Sequence, residues 1–369
     1  MSAPTVGVAD VVDLADGDPG SAARAVADAA RDVIGLGTHL GATIDWAVRA
    51  AAHIPLPGPA RSAAAGATGS TAARWSALAT AAALDVGAAR VLEPHLDALA
   101  ILAEARADGI LVDLDAIGVD EHASWGVYAA EGGTERLTAR RTASGWVLEG
   151  AKPWCSLAQD VSHALVTAWT GEHDRRLFAV AMKDAAVSPH RGPWVARGLS
   201  RIVSAPVDFA AASAVPVGDD GWYLRRAGFA VGGMGVAAVW WGGALPLIAA
   251  LRAGAAREGA DQIAQMLLGE ADALSWSARA TLLDAAGRVD AAGRVDAGAG
   301  DDLRVLAERV RAVTATAVER IVTRSGHALG PGPLTVDEEH ARRVSDLKIY
   351  LRQHHAERDL ARLGRLVAS

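Results

Sequence analysis

Apolar and polar positions repeat along this chain with two different periods. From about Ser21 to Asp108 the apolar positions are Ala-rich with spaced Leu and Val, the spacing of helices. Two stretches interrupt it, Pro55-Leu56-Pro57-Gly58-Pro59 and the run from Gly66 to Ser70. Between about Ile110 and Val217 the pattern shortens. Trp146-Val147-Leu148, the run from His163 to Trp169 and the run from Arg176 to Met182 are apolar pieces separated by polar and glycine turns, which predicts strands. From Ala227 helical spacing returns, with Asp301 to Ser325 and Asp337 to Leu366 as long amphipathic segments. The order predicts a mainly α protein with a central β domain: a helical unit over 1–120, a β unit over 121–225 and a helical unit over 226–369. Ala227 to Leu251 is about as long as a membrane span, but it contains six glycines and Pro246 and is read as a buried helix pair. Gly287 to Ala292 is nearly repeated by Gly293 to Ala297, which predicts a duplicated loop tip between two helices.

Composition narrows the function classes. Half of the 369 residues are apolar (51%), mostly Ala, Val and Leu, so a large helical core is available. The net charge is −7, from 36 basic and 43 acidic residues, and no dense Lys/Arg run stands out; a nucleic-acid footprint is not expected. Cys155 is the single cysteine, which excludes an intrachain disulfide and a cysteine-based metal cluster. No metal site is expected. The acidic N-terminal stretch with Asp10, Asp13, Asp16 and Asp18 does not resemble an export signal. A cytoplasmic protein outside the membrane is the expectation.

The chemistry-bearing motifs are spread over all three units. Trp146-Val147-Leu148-Glu149-Gly150-Ala151-Lys152-Pro153-Trp154-Cys155-Ser156 resembles the middle domain of the acyl-CoA dehydrogenase family, with its aromatic-x-x-Asn-Gly-x-Lys-x-Trp-Ile-Thr pattern. Gly198-Leu199-Ser200-Arg201, Val207-Asp208-Phe209 and Val215-Pro216 resemble further elements of that domain. The stretch from Arg90 to Ala98 is similar to a family helix carrying His-x-x-Ala, and Arg343 to Tyr350 resembles the Arg-Asp-Ala-Lys-Ile-Tyr helix. The resemblance implies an acyl-CoA dehydrogenase-like architecture with a β-barrel-like middle domain and a C-terminal four-helix bundle. It also implies FAD held between the two, or FMN, or a reduced flavin supplied in trans. Trp154 would then pack on the isoalloxazine and Ser156 would hydrogen-bond near N5, chemistry suited to an indole face and a small hydroxyl. Trp125, Val127 and Tyr128 would lie on the flavin loop, and Gly326 and Gly330 in a phosphate-contacting turn. The resemblance further implies a homo-oligomer, dimer or tetramer. Its partners would be an electron-transfer flavoprotein or a flavin reductase and a small-molecule substrate, CoA- or carrier-linked.

Departures from the family pattern decide which reactions stay open. The loop at Ala129-Ala130-Glu131-Gly132-Gly133 is about two residues short, and no Arg-x-x-Phe-Gly element is present. No arginine lies between Arg226 and Arg252, which argues for an apolar or carrier-bound substrate. Counting forward in register, the family's catalytic glutamate falls on His354, with Glu357 three residues on as the fallback carboxylate. His355 is expected to point away. A neutral imidazole can act as a general base near pH 7, so acyl dehydrogenation stays open and leads. The flavin-dependent monooxygenases of the same fold also resemble the chain here, and His95, Ser156 and His354 would then converge as two proton donors and a hydroxyl. A third alternative is a catalytically degenerate binding protein. The bland alternatives are a core tryptophan at Trp154 and a solvated helix face at His354 and His355.

Overall fold

A computed structural model describes residues 11–14, 20–56, 70–132, 136–292 and 300–368. Four helices come first: α1 (Ser21–Ala30), α2 (Leu40–Ala51), α3 (Ser70–Leu84) and α4 (Val86–Ala107). Asp85 separates α3 from α4 and caps the latter, its carboxylate accepting the Ala88 N–H at 2.9 Å. Alanines at 77, 79, 81, 82, 88 and 89 are wholly or almost wholly buried. Their small side chains let α3 and α4 pack tightly among their neighbours.

Seven strands follow: β1 (Trp125–Tyr128), β2 (Thr138–Thr142), β3 (Gly145–Ser156), β4 (His163–Trp169), β5 (Arg175–Ala181), β6 (Val187–Pro189) and β7 (Ser204–Val217). Hydrogen bonding runs β1-β4-β2-β3-β7-β5, and β5 returns to pair with β4. The path β4-β2-β3-β7-β5-β4 is therefore a closed barrel, with β1 added beside β4 and β6 beside β7. Closure removes the open edges that a flat sheet would leave. The inward apolar set includes Leu148, Val166, Phe178, Val180 and Val207. Lys152 is buried inside this unit; its ammonium meets Glu131 Oε1 at 2.7 Å and Thr167 Oγ1 at 2.9 Å. A buried cation without such partners would cost several kcal/mol.

The C-terminal part holds α5 (Trp222–Arg225), α6 (Gly228–Ala255), α7 (Gln262–Ala292), α8 (Gly300–Leu329), α9 (Gly332–Val336), α10 (Glu338–Tyr350) and α11 (Glu357–Ala368). Helices α6, α7 and α8 pack on one another, and α10 lies across α6 and α4. The expected helix pair at 227–251 is instead one continuous helix, α6, with Pro246 inside it. Among the described residues it is the single helix long and apolar enough to cross a membrane, and 78% of its apolar window is buried within the protein. Its glycines serve packing: a Cβ at Gly242 would overlap the backbone of Ala79 in α3. The expected loop tip is also corrected, since Gly287 to Ala292 complete α7; 293–299 lie outside the described residues.

Two contacts dock α10. Buried Arg343 donates to the carbonyls of Ala82, Ala83 and Leu84 at 2.8, 2.9 and 3.0 Å, satisfying the C-terminal end of α3. On the barrel side, Asp346 accepts the Leu199 N–H. Gly198 rests against the α10 backbone, where a Cβ would overlap the Ser345 carbonyl. The segment expected as one helix from Asp337 to Leu366 breaks after Tyr350. A 3-10 turn spans Leu351–Gln353, His354 is extended (φ −91°, ψ 115°), and Ala356 takes φ +46° before α11 begins.

Candidate active site

The end of β3 is irregular where the chemistry was expected. Its pairing with β7 shifts register between Lys152 and Cys155, and Trp154 adopts φ +59°. For a non-glycine residue this conformation costs of order 1–3 kcal/mol and is tolerated where the surroundings enforce it. The result is an indole that is 63% exposed, next to a Cys155 that is 1% exposed. Burial pushes the Cys155 thiol out of the range of a reactive nucleophile.

Ser156, two residues on, is half-buried. Its hydroxyl lies 2.7 Å from Ser204 Oγ on β7 and receives Arg90 Nη2 from α4 at 3.2 Å. Its carbonyl accepts the Tyr128 hydroxyl at 3.0 Å. Arg90 Nη1 also pairs with Glu93 at 3.0 Å, and Glu93 accepts the Tyr350 hydroxyl at 3.3 Å. The Arg90 guanidinium stands 5.6 Å from the centre of the Tyr350 ring. Burial raises the Glu93 carboxyl above its ordinary value, against the lowering pull of Arg90. One connected set of polar groups therefore runs from the barrel through α4 to the end of α10.

His354 continues that set by packing. Trp240 of α6 meets the Tyr350 ring edge-on at 6.3 Å and the His354 ring at 6.5 Å. His354 is 7% exposed, and its Nε2 is buried with no hydrogen-bond partner among the described residues. Burial lowers its affinity for a proton, Asp359 opposing, so the ring is neutral at neutral pH. Arg311 of α8 braces the turn, donating to the carbonyls of Gln353 at 2.7 Å and Gly233 at 3.0 Å. His95 on α4 is 4% exposed with Nδ1 unpartnered among the described residues, and burial pushes its pKa down to about 4.

Beside this set, α3, α4 and α6 enclose a cavity of about 20 Å³ lined by Arg74, Glu93, Asp97 and Arg226, room for about one water. Arg226 is paired with Glu104 at 2.8 Å and reaches Asp97 at 3.8 Å. Trp75, Leu78, Ala100 and Val231 also line the cavity.

No protein-family model and no curated protein matches the sequence, whereas solved structures match over nearly its whole length. KijD3 in complex with dTDP superposes with a TM-score of 0.77 at 19% identity, covering 97% of this chain and 99% of that one. TdsC of Paenibacillus sp. A11-2, a dibenzothiophene monooxygenase, was crystallised with FMN and indole; it matches at 0.76 and 17% identity over 93% and 96% of the chains. A variant of the Tcur3481-Tcur3483 steroid ACAD matches at 0.68 and 24% identity over 95% and 96%. The chain has the acyl-CoA dehydrogenase fold.

Placed on that fold, the expected site residues fall in different environments. Trp154 and Ser156 stand at the accessible end of β3, and His354 is buried against Trp240, outside hydrogen-bond contact with either. His355 is turned outward, its side chain 65% exposed. Trp125 and Tyr128 are each 2% exposed, Trp125 tilted against His163 at 5.1 Å; their rings belong to the core, so β1 presents backbone and the half-buried Val127 instead. Glu357 is corrected as a fallback carboxylate: the break at His354 to Ala356 ends the shared helix face, and Glu357 is exposed at the start of α11. Gly326 is corrected too, because it lies inside α8; Gly330 alone, at φ +66°, makes a turn. Sequence reasoning missed Arg90, Glu93, Tyr350, Trp240 and Arg311 as parts of the site. One signal was available: an opposite-charge pair at i and i+3 in an Ala-rich helix meant to be buried.

Proposed function

We propose that the chain is a flavin-dependent oxidoreductase of the monooxygenase type, acting on a small-molecule substrate with reduced flavin and oxygen. One observation carries the choice of reaction. Where a dehydrogenase of this fold needs a carboxylate base, the chain has His354, a buried imidazole with lowered proton affinity. Such a ring can donate a hydrogen bond from one nitrogen and accept one at the other, whereas an ionised carboxylate only accepts. The unpartnered nitrogens of His95 and His354 fit a site completed by a ligand, since buried polar atoms are rarely left unpaired.

Trp154 and Ser156 would hold the isoalloxazine, the indole against a ring face and the hydroxyl near N5. Flavin, when bound, supplies the redox chemistry. Tyr128 fixes the Ser156 backbone through the carbonyl, and Arg311 fixes the turn that carries His354. The two histidines, neutral near pH 7, would each offer one hydrogen-bond donor and one acceptor at their ring nitrogens. The partner would be a flavin reductase, and the working form a dimer or tetramer. The second reading is dehydrogenation of an acyl or carrier-bound substrate with an electron-transfer flavoprotein. It would draw on Glu93, the carboxylate whose proton affinity burial raises.

Titration of the purified chain with FMN and FAD, oxidised and reduced, tests the reading directly. Binding of reduced flavin followed by substrate-dependent oxygen uptake is the expected result. Bleaching of bound oxidised flavin by an acyl-CoA under anaerobic conditions would favour the second reading. Failure to bind any flavin would leave a binding protein without redox chemistry.

A further inference from the structure

We propose that Arg90 is a positioning residue that fixes the Ser156 hydroxyl as a hydrogen-bond acceptor toward the group covered by Trp154. The site is thereby set to receive an N–H donor. The inference rests on the flavin reading above, in which that donor is the N5–H present on reduced flavin and absent from the oxidised form.

The argument is a count of hydrogens and lone pairs. A hydroxyl has one hydrogen to give and two lone pairs. A guanidinium has only donors, so at 3.2 Å Arg90 Nη2 can only occupy a Ser156 lone pair. Ser204 Oγ, at 2.7 Å, takes a second valence. In the proposed arrangement the Ser204 hydrogen goes to the Ile202 carbonyl at 3.3 Å and the Ser156 hydrogen to Ser204. What Ser156 keeps for its accessible side is one lone pair.

Arg90 is held for this task. Its side chain is 13% exposed and paired with Glu93. Glu93 is tied to the Tyr350 hydroxyl, and the Tyr350 ring flanks the guanidinium. Without Arg90 the hydroxyl could turn its hydrogen either way and would greet oxidised and reduced flavin alike.

The test measures dissociation constants of the full chain for oxidised and for dithionite-reduced FMN, with thermal melting as a check of folding. The wild type is expected to prefer reduced FMN by about tenfold or more, the size of one hydrogen bond to a well-placed acceptor. Arg90→Met should weaken the reduced form selectively and collapse the preference, while Arg90→Lys, which still donates, should restore much of it. A purely structural role would weaken both forms equally and leave the ratio unchanged, which would overturn the proposal. So would a wild type that binds both forms equally or prefers the oxidised one. If Arg90→Met does not fold, Ser204→Ala decides: removing the acceptor for the Ser156 hydrogen should lower the ratio, and an unchanged ratio refutes the scheme. A wild type that binds neither form overturns the flavin reading itself, a distinct outcome from binding without discrimination.

Discussion

Gly198→Ala probes the contact that sets the last helix against the barrel. A Cβ at position 198 would overlap the Ser345 carbonyl and stand 2.8 Å from the Asp346 nitrogen. Both are backbone groups of α10, so no side chain can swing aside to make room. The loop has little freedom to retreat, because Leu199 is held at φ +48° with its N–H on Asp346. Overpacking of this kind costs about 1–3 kcal/mol, and losing a hydrogen bond to a charged group adds about 1.5–3 kcal/mol. The sum, about 2.5–6 kcal/mol, is a large share of the roughly 5–15 kcal/mol by which domains are stable. Thermal unfolding followed by circular dichroism should show the apparent Tm lowered by at least about 3 °C. The same displacement would move Tyr350 and the His354 turn away from Glu93 and Trp240, so flavin affinity should fall as well. An apparent Tm within about 1 °C of wild type would refute the claim that this approach needs glycine.

Gly326→Ala is the counterpart: no atom lies within 4 Å of the added Cβ and the residue is inside α8, so stability should rise by up to about 1 kcal/mol with flavin binding unchanged in a titration. His354→Ala should lower turnover by about a hundred- to ten-thousandfold with flavin still bound; full turnover in steady-state assays would remove His354 from the mechanism. Trp154→Gly should leave stability unchanged or raise it by up to about 1 kcal/mol, since glycine suits φ +59°, while flavin affinity falls about tenfold or more by fluorescence titration. Burial, only partly offset by the Leu199 N–H, raises the Asp346 carboxyl from 3.8 to about 6, so the folded chain binds the proton more tightly than the unfolded one. The associated stability is fully present below about pH 4 and lost as pH rises through about 6, a span of about 3 kcal/mol. Asp346→Asn, which can still accept the Leu199 N–H, should therefore gain on wild type between about pH 4 and pH 7; an equal difference at both values in urea titrations would contradict the assignment.

Local pattern alone determined the order of helices, strands and helices, because the periods that encode it are properties of neighbouring residues. The resemblance to the acyl-CoA dehydrogenase family singled out a tryptophan and a hydroxyl near the end of β3 and an imidazole at the register position of that family's carboxylate. Tertiary structure decided the rest. Asp337 to Leu366 has the spacing of one helix. It breaks after Tyr350, with Arg311 bonded to the Gln353 carbonyl from another helix and Ala356 at a positive φ. That break separated Glu357 from His354. Trp125 and Tyr128 looked like loop residues beside a cofactor, but β1 lies between α4 and the barrel and their rings are buried there. Arg90 meets Ser156 across 66 residues, and Tyr350 meets Glu93 across 257. No periodicity can announce such pairs, because each depends on how whole elements pack and on which buried charge must then find a partner.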